Sequence, residues 1–105
     1  MGVVNAFTSA SAITVNIDVS ASTQRVQVSA DGNPKAVRIM NNGTATVWLA
    51  WGGSTVTASL TTGVPVGPNV HEVLTMDNQG GTGLYVAAIA AGSTGKVYFT
   101  PGDGI

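Results

Sequence analysis

The stretch from Ala36 to Trp51 constrains this chain more than any other. It reads Ala36-Val-Arg-Ile-Met-Asn-Asn-Gly-Thr-Ala-Thr-Val-Trp-Leu-Ala-Trp51. Val37 and Ile39 alternate with Arg38 and Met40. Val47, Leu49 and Trp51 alternate with Thr46, Trp48 and Ala50. Period-two runs on either side of Asn41-Asn42-Gly43 are the pattern of a β-hairpin. Directly opposed residues share a face of the sheet. A two-residue turn at Asn42-Gly43 would therefore set Ile39 against Thr46 and aim one apolar side outward. A three-residue loop over Asn41–Gly43 sets Val37 opposite Val47 and Ile39 opposite Ala45, with Gly43 in the left-handed position. This register sends Val37, Ile39, Val47, Leu49 and Trp51 to a core, and Arg38, Met40 and Trp48 away from it.

The rest of the chain repeats the period. Ile13, Val15, Ile17 and Val19 alternate with Thr14, Asn16 and Asp18, and Val26 and Val28 with Arg25 and Gln27. Both are half-buried antiparallel strands. Asp31-Gly32-Asn33-Pro34 is a turn cluster. A short strand is expected around Val56, over 55–59, then a loop over Leu60–Asn69 with its two prolines. Val70–Met76 is a strand. Lys96–Thr100 is another, with Val97 and Phe99 inward, and residues 101–105 form a tail. Leu84–Ala91 is apolar without alternation. Its length and flanking glycines favour a strand over a helix. Seven to nine short strands with regular turn signals predict one all-β domain, an antiparallel β-sandwich of jelly-roll or immunoglobulin-like type. It spans residues 13–105, after an N-terminal arm or edge strand over 1–12 that offers Val3, Val4 and Phe7 as anchors.

Charge narrows the function. Only 9% of the 105 residues are charged, with net charge −1, against about 25% in ordinary soluble domains. Four basic residues cannot form a phosphate-binding stripe, so nucleic acid is not an expected partner. No run approaches the ~18 apolar residues of a membrane span, and Met1–Phe7 has no signal-peptide pattern. A surface so short of charge invites assembly. A strand that is apolar on both faces, as Leu84–Ala91 is, needs cover on both, from another chain or from a folded-back segment. Tyr85 and Ile89 on that strand are interface candidates, and a homo-oligomer is expected.

Catalytic chemistry finds few groups. The single histidine, His71, adjoins Glu72, so on a strand the two leave from opposite faces. No Gly-x-Ser-x-Gly elbow supports a serine nucleophile. Asp31-Gly32 and Asp77-Asn78 are explained by turn chemistry rather than by the calcium-loop spacing. With no cysteine, neither a disulfide nor a thiolate metal site is possible. No enzyme activity, cofactor or metal is expected. Trp48 is the leading surface feature, with Met40 and Arg38 expected near it. An exposed Trp beside an Arg could stack on a sugar or anchor a protein contact. With Tyr98, it carries the alternative reading of a carbohydrate-binding β-sandwich module. A small hydrolase built on His71 is the weaker third class.

Several segments taken together resemble a known group. They are Val37–Thr44, Trp48-Leu-Ala-Trp-Gly52, the Pro65–Pro68 loop, Leu84–Ala90 and the closing Val97-Tyr-Phe-Thr-Pro-Gly-Asp-Gly104. Over residues 36–105 the chain resembles small virion structural proteins of tailed bacteriophages, among them capsid decoration, or cement, proteins. The resemblance implies a non-enzymatic protein of the capsid surface, made in the host cytoplasm. It would bind the major capsid protein or other virion subunits and stabilise the shell, often as a dimer or trimer. Such proteins share no site motif, so no residue roles carry over.

Overall fold

The computed structural model describes residues 8–9, 14–78, 81–92 and 95–103. Val3, Val4, Phe7 and Ile13 lie outside them. The described residues are all-β and contain no helix. The strands are β1 (Thr8–Ser9), β2 (Val15–Val19), β3 (Gln24–Ser29), β4 (Lys35–Asn41), β5 (Val47–Gly52), β6 (Val64–Val66), β7 (His71–Met76), β8 (Leu84–Ile89) and β9 (Gly95–Asp103).

They form two antiparallel sheets. In the first, β9 is central: β1 and β2 pair with one side of it and β4 with the other, and β7 closes the edge beyond β4. The second runs β3-β8-β5-β6. The pairs nest, with β5·β6 innermost, then β4·β7, β3·β8 and β2·β9. β4·β9 and β5·β8 stitch the layers together. From β2 to β9 every connection except β5–β6 crosses between sheets. This is a long hairpin rolled upon itself, the jelly-roll form of sandwich, and the nesting separates it from the immunoglobulin-like alternative.

The expected hairpin does not form. β4 and β5 lie in different sheets. Val37 faces Leu74 and Pro101, while Val47 faces Val66. Residues 42–46 are a crossover, and Gly43 does not take a positive φ. Yet the assigned faces hold: Val37, Ile39, Val47 and Leu49 are buried, Trp51 packs on the core, and Arg38 is exposed. Alternation records which side of a strand meets the core. It does not record which strand lies alongside, because two amphipathic strands can share a core across the sandwich as well as within one sheet.

Three further expectations change. Residues 55–59 form no strand. The segment Leu60–Asn69 contains β6, a short edge strand, where a central proline is tolerated. Residues 101–103 of the expected tail belong to β9, which continues to Asp103 with Pro101 buried, and the last two lie outside the described residues. Pro101 fits a central strand for a local reason. It faces Val37 on β4. The bonds of Asn41 to Val70 and of Asn42 to Lys96 set the alternation so that Val37 bonds toward β7. The β4 ladder therefore does not need the missing N–H of Pro101.

The core is built from both inner faces. Phe99, Ile39, Leu49, Met76, Leu84, Val37, Val47, Val66, Val86 and Val97 are its largest fully enclosed apolar side chains. Two glycines are needed for close approach. Gly95 has φ +123°, and a Cβ there would stand 3.1 Å from Gly43 Cα. A Cβ on Gly32 would overlap the Asn78 carbonyl, and the bond from Asn78 N–H to Gly32 O holds the two turns this close.

Candidate functional site

The outer faces of the two sheets carry the candidate residues, and they divide them. On the first sheet the ladder sets His71, Met40, Tyr98 and Asn16 in one row across β7, β4, β9 and β2. The next row holds Val73, Arg38 and Thr100, and Thr100 Oγ1 lies 2.8 Å from Thr14 Oγ1. On the second sheet Trp48 stands between Pro65 and Ile89. Ala50, Ala87 and Arg25 form the row beside it, then Gly52, Tyr85 and Gln27. Met40 and Tyr98 therefore adjoin each other, as do Trp48 and Ile89. Contrary to expectation, Trp48 lies on the opposite side of the molecule from Arg38, Met40 and Tyr98. The expectation assumed that β4 and β5 pair, and their separation into two sheets removes that proximity. A single sugar cannot stack on Trp48 while meeting Arg38 or Tyr98.

Trp48 is half-buried. The turn after β5 folds back against it: Gly63 N–H donates to Ser59 O at 3.1 Å, and a Cβ at position 63 would stand 3.0 Å from Trp48 Cβ. The same fold-back covers the middle of the second sheet. Arg25 Nη1 donates to Val56 O at 3.0 Å, and Ala58 N–H to Thr23 Oγ1 at 2.9 Å. Beneath them Ala87, an outward position on β8, has 0% exposure. The cover expected for this strand thus comes in part from the chain's own residues 53–63. Tyr85 and Ile89 remain half-exposed at its two ends. Exposed Pro65, Trp48 and Ile89 form one row, and Leu60, 42% exposed, belongs to the Ser59–Gly63 turn that packs on Trp48. Val64, 37% exposed, pairs with Leu49 and so faces the other side of the sheet.

The charged groups are mostly engaged. Asp31 meets Lys35 at 3.2 Å. The Asn33 N–H, and then the Lys35 ammonium, hold its carboxyl below the usual carboxylate range. Lys96 donates to Asp18 Oδ1 at 2.6 Å, and that bond holds its ammonium above the usual lysine value. Both pairs are largely exposed and add little to stability. Asp31 and Asp77-Asn78 do come together, but through backbone: Asn78 N–H donates to Gly32 O at 2.9 Å. The Asn78 side chain donates to Gly83 O at 2.7 Å, so that amide serves the turn. No group of three or more possible metal ligands occurs among the described residues.

Arg38 differs. Among the described side chains it is the cation with neither a carboxylate nor a carbonyl partner. Its Nη2 lies 3.3 Å from His71 Nδ1, across an open depression of about 240 Å³ lined by Arg38, His71, Glu72 and Val73. Glu72 pairs with Ile39, so its side chain leaves the sheet on the side away from His71. Sequence reasoning placed Arg38 outward but could not bring His71 to it, because no local pattern reveals that β7 lies beside β4. It also took Asn41 for a turn residue. Asn41 is fully enclosed, and its parity with Val37 and Ile39 was the available signal.

No protein-family model, no curated protein and no solved structure matches this chain.

Proposed function

We propose that the chain is a non-enzymatic virion structural protein, a capsid decoration protein that binds the major capsid protein and stabilises the shell. One observation carries the reading: the uncharged apolar margin formed by exposed Leu60 and Pro65 beside half-buried Trp48 and Ile89. Contiguous apolar surface on a small domain marks an interaction site. A jelly-roll sandwich, an architecture used by viral capsid proteins among others, and the resemblance of residues 36–105 support the same reading.

The margin also suits the task mechanically. It sits on the rigid β5–β8 pair and on β6, a three-residue strand whose proline discourages runaway edge pairing. Docking there adds about 25 cal/mol of stabilisation per Å² of apolar surface removed from water. The test is co-sedimentation with empty capsids of the encoding virus. The double variant Leu60→Glu and Pro65→Glu places charge at two exposed positions of that margin, so the fold should persist by circular dichroism while capsid binding falls. Wild-type protein that ignores capsids, or a double variant that binds equally well, would remove the reading.

A further inference from the structure

A second surface, on the opposite sheet, points to a different partner chemistry, and it does not rest on the capsid reading. β7 is an edge strand of six residues. Its free side can be assigned from two bonds. Asn42 N–H donates to Lys96 O, and Asn41 N–H to Val70 O. Antiparallel ladders alternate hydrogen-bonded and non-bonded pairs. Hence Arg38 and Met40 bond to β9, while Val37, Ile39 and Asn41 bond toward β7. On β7 the partners Glu72 and Leu74 are then engaged. His71, Val73 and Thr75 turn their N–H and C=O groups to the open edge, and no described residue pairs with them.

Both edges of the second sheet are blunted in recognisable ways, and the described strands at the far edge of the first, β1 and β2, are shorter than β7. β6 is three residues long with Pro65 at its centre. β3 carries a register shift between Gln27 and Ser29. β7 has neither a proline nor a bulge. The residues that offer free backbone groups, His71 and Val73, also line the depression with Arg38 and Glu72. In that depression His71 Nδ1 accepts from Arg38, which leaves the ring's other nitrogen and the remaining guanidinium N–H groups as donors. The outer side of the edge is therefore rich in donors, and the carboxylate that borders the depression, Glu72, leaves from the opposite face of the strand.

We infer that the β7 edge accepts an extended segment of a partner protein as an added strand, with an Asp or Glu of that segment bound between Arg38 and His71. Backbone pairing along His71, Val73 and Thr75 supplies the general affinity, and the charge-assisted contact fixes the register. A second copy of this chain fits poorly. Two β7 strands paired antiparallel would bring only His71, Val73 and Thr75 to that face, with no acid for Arg38.

The probe is the blocked peptide Thr-Val-Glu-Val-Thr-Val-Thr, with a Gln-for-Glu twin. Amide shifts in nitrogen–proton spectra should concentrate at His71, Val73, Thr75 and Arg38. The Gln peptide should bind about tenfold more weakly, the cost of one charge-assisted bond, and Arg38→Gln should abolish the difference. Val73→Pro removes an edge donor without touching the β4 ladder, so it should fold and fail to bind. Leu74→Pro breaks that ladder and should unfold. Should Val73→Pro unfold, the Arg38→Gln result decides alone. Absence of binding at millimolar peptide, shifts clustered on the Trp48 face, equal affinity for both peptides, or edge-dependent dimerisation of the protein alone would each overturn the inference.

Discussion

Asn41 is the only polar side chain fully enclosed among the described residues, and its position explains why the crossover stays closed. Its Nδ2 lies 3.0 Å from the carbonyl oxygens of Ala45, Val66 and Gly67, and its Oδ1 accepts the Gly43 N–H at 2.9 Å. One amide thus ties the end of β4 to the 42–46 crossover, to β6 and to the turn before β7. Its backbone adds bonds to Val70 and Asn69, and Asn69 takes φ 59°, which asparagine tolerates better than most residues. Asn41→Leu preserves approximate size but strands several carbonyls. Each buried unsatisfied group costs about 1–3 kcal/mol, so the loss should be on the order of 3 kcal/mol or more. Urea midpoints for Asn41→Leu and for the exposed Asn42→Ala check this, and equal losses would contradict the role given to Asn41.

At the scale of elements, β8 shows how a strand without a polar face is accommodated. Its inner side meets the core, and Ala87 on the outer side is sealed by Arg25 and residues 53–63. Arg25→Ala should loosen that cover while leaving both sheets intact. The expected result is faster hydrogen exchange at the Ala58 amide, with a change in melting temperature small beside that of a core truncation such as Ile39→Ala. Unchanged exchange at Ala58 would show that the segment holds without Arg25. The strands themselves were legible. Alternation located β2, β3, β4, β5 and β9 and aimed Ile17, Val28, Ile39, Leu49 and Phe99 correctly, because burying one face is a local property of a sequence. Partner choice was not legible. Whether Val37 lies beside Val47 or beside Leu74 depends on residues more than thirty positions away. For the same reason the Arg38–His71 pair was hidden and Trp48 was placed with the wrong neighbours. The strand ends were misjudged at Pro65 and Pro101, where proline reads as a breaker unless the pairing beside it is known.

For the whole molecule the nested topology governs folding. Val15 pairs with Phe99 and Val19 with Gly95, so the two ends of the chain must meet before the first sheet is complete. Non-local pairing of this kind slows folding to the range of milliseconds to seconds. Stopped-flow refolding should place the chain there. Phe99→Ala, which truncates a fully enclosed side chain on the central strand, should lower stability by about 3–5 kcal/mol. Submillisecond refolding would mean that local contacts carry more of the structure than the ladder suggests.

The same arrangement decides how the molecule bears a load. Thr8 lies opposite Asp103 and Ser9 opposite Gly102, so the incoming and outgoing ends of the chain leave from one end of one ladder. Tension between them opens that ladder as a zipper, one pair at a time, first along β1 and then along β2. Each step breaks few hydrogen bonds. A pull carried from sheet to sheet instead must separate the whole interlocked core at once. The domain is therefore soft along its own termini and stiff across its thickness, and anything that uses it as a fastener gains strength by gripping the faces rather than the ends.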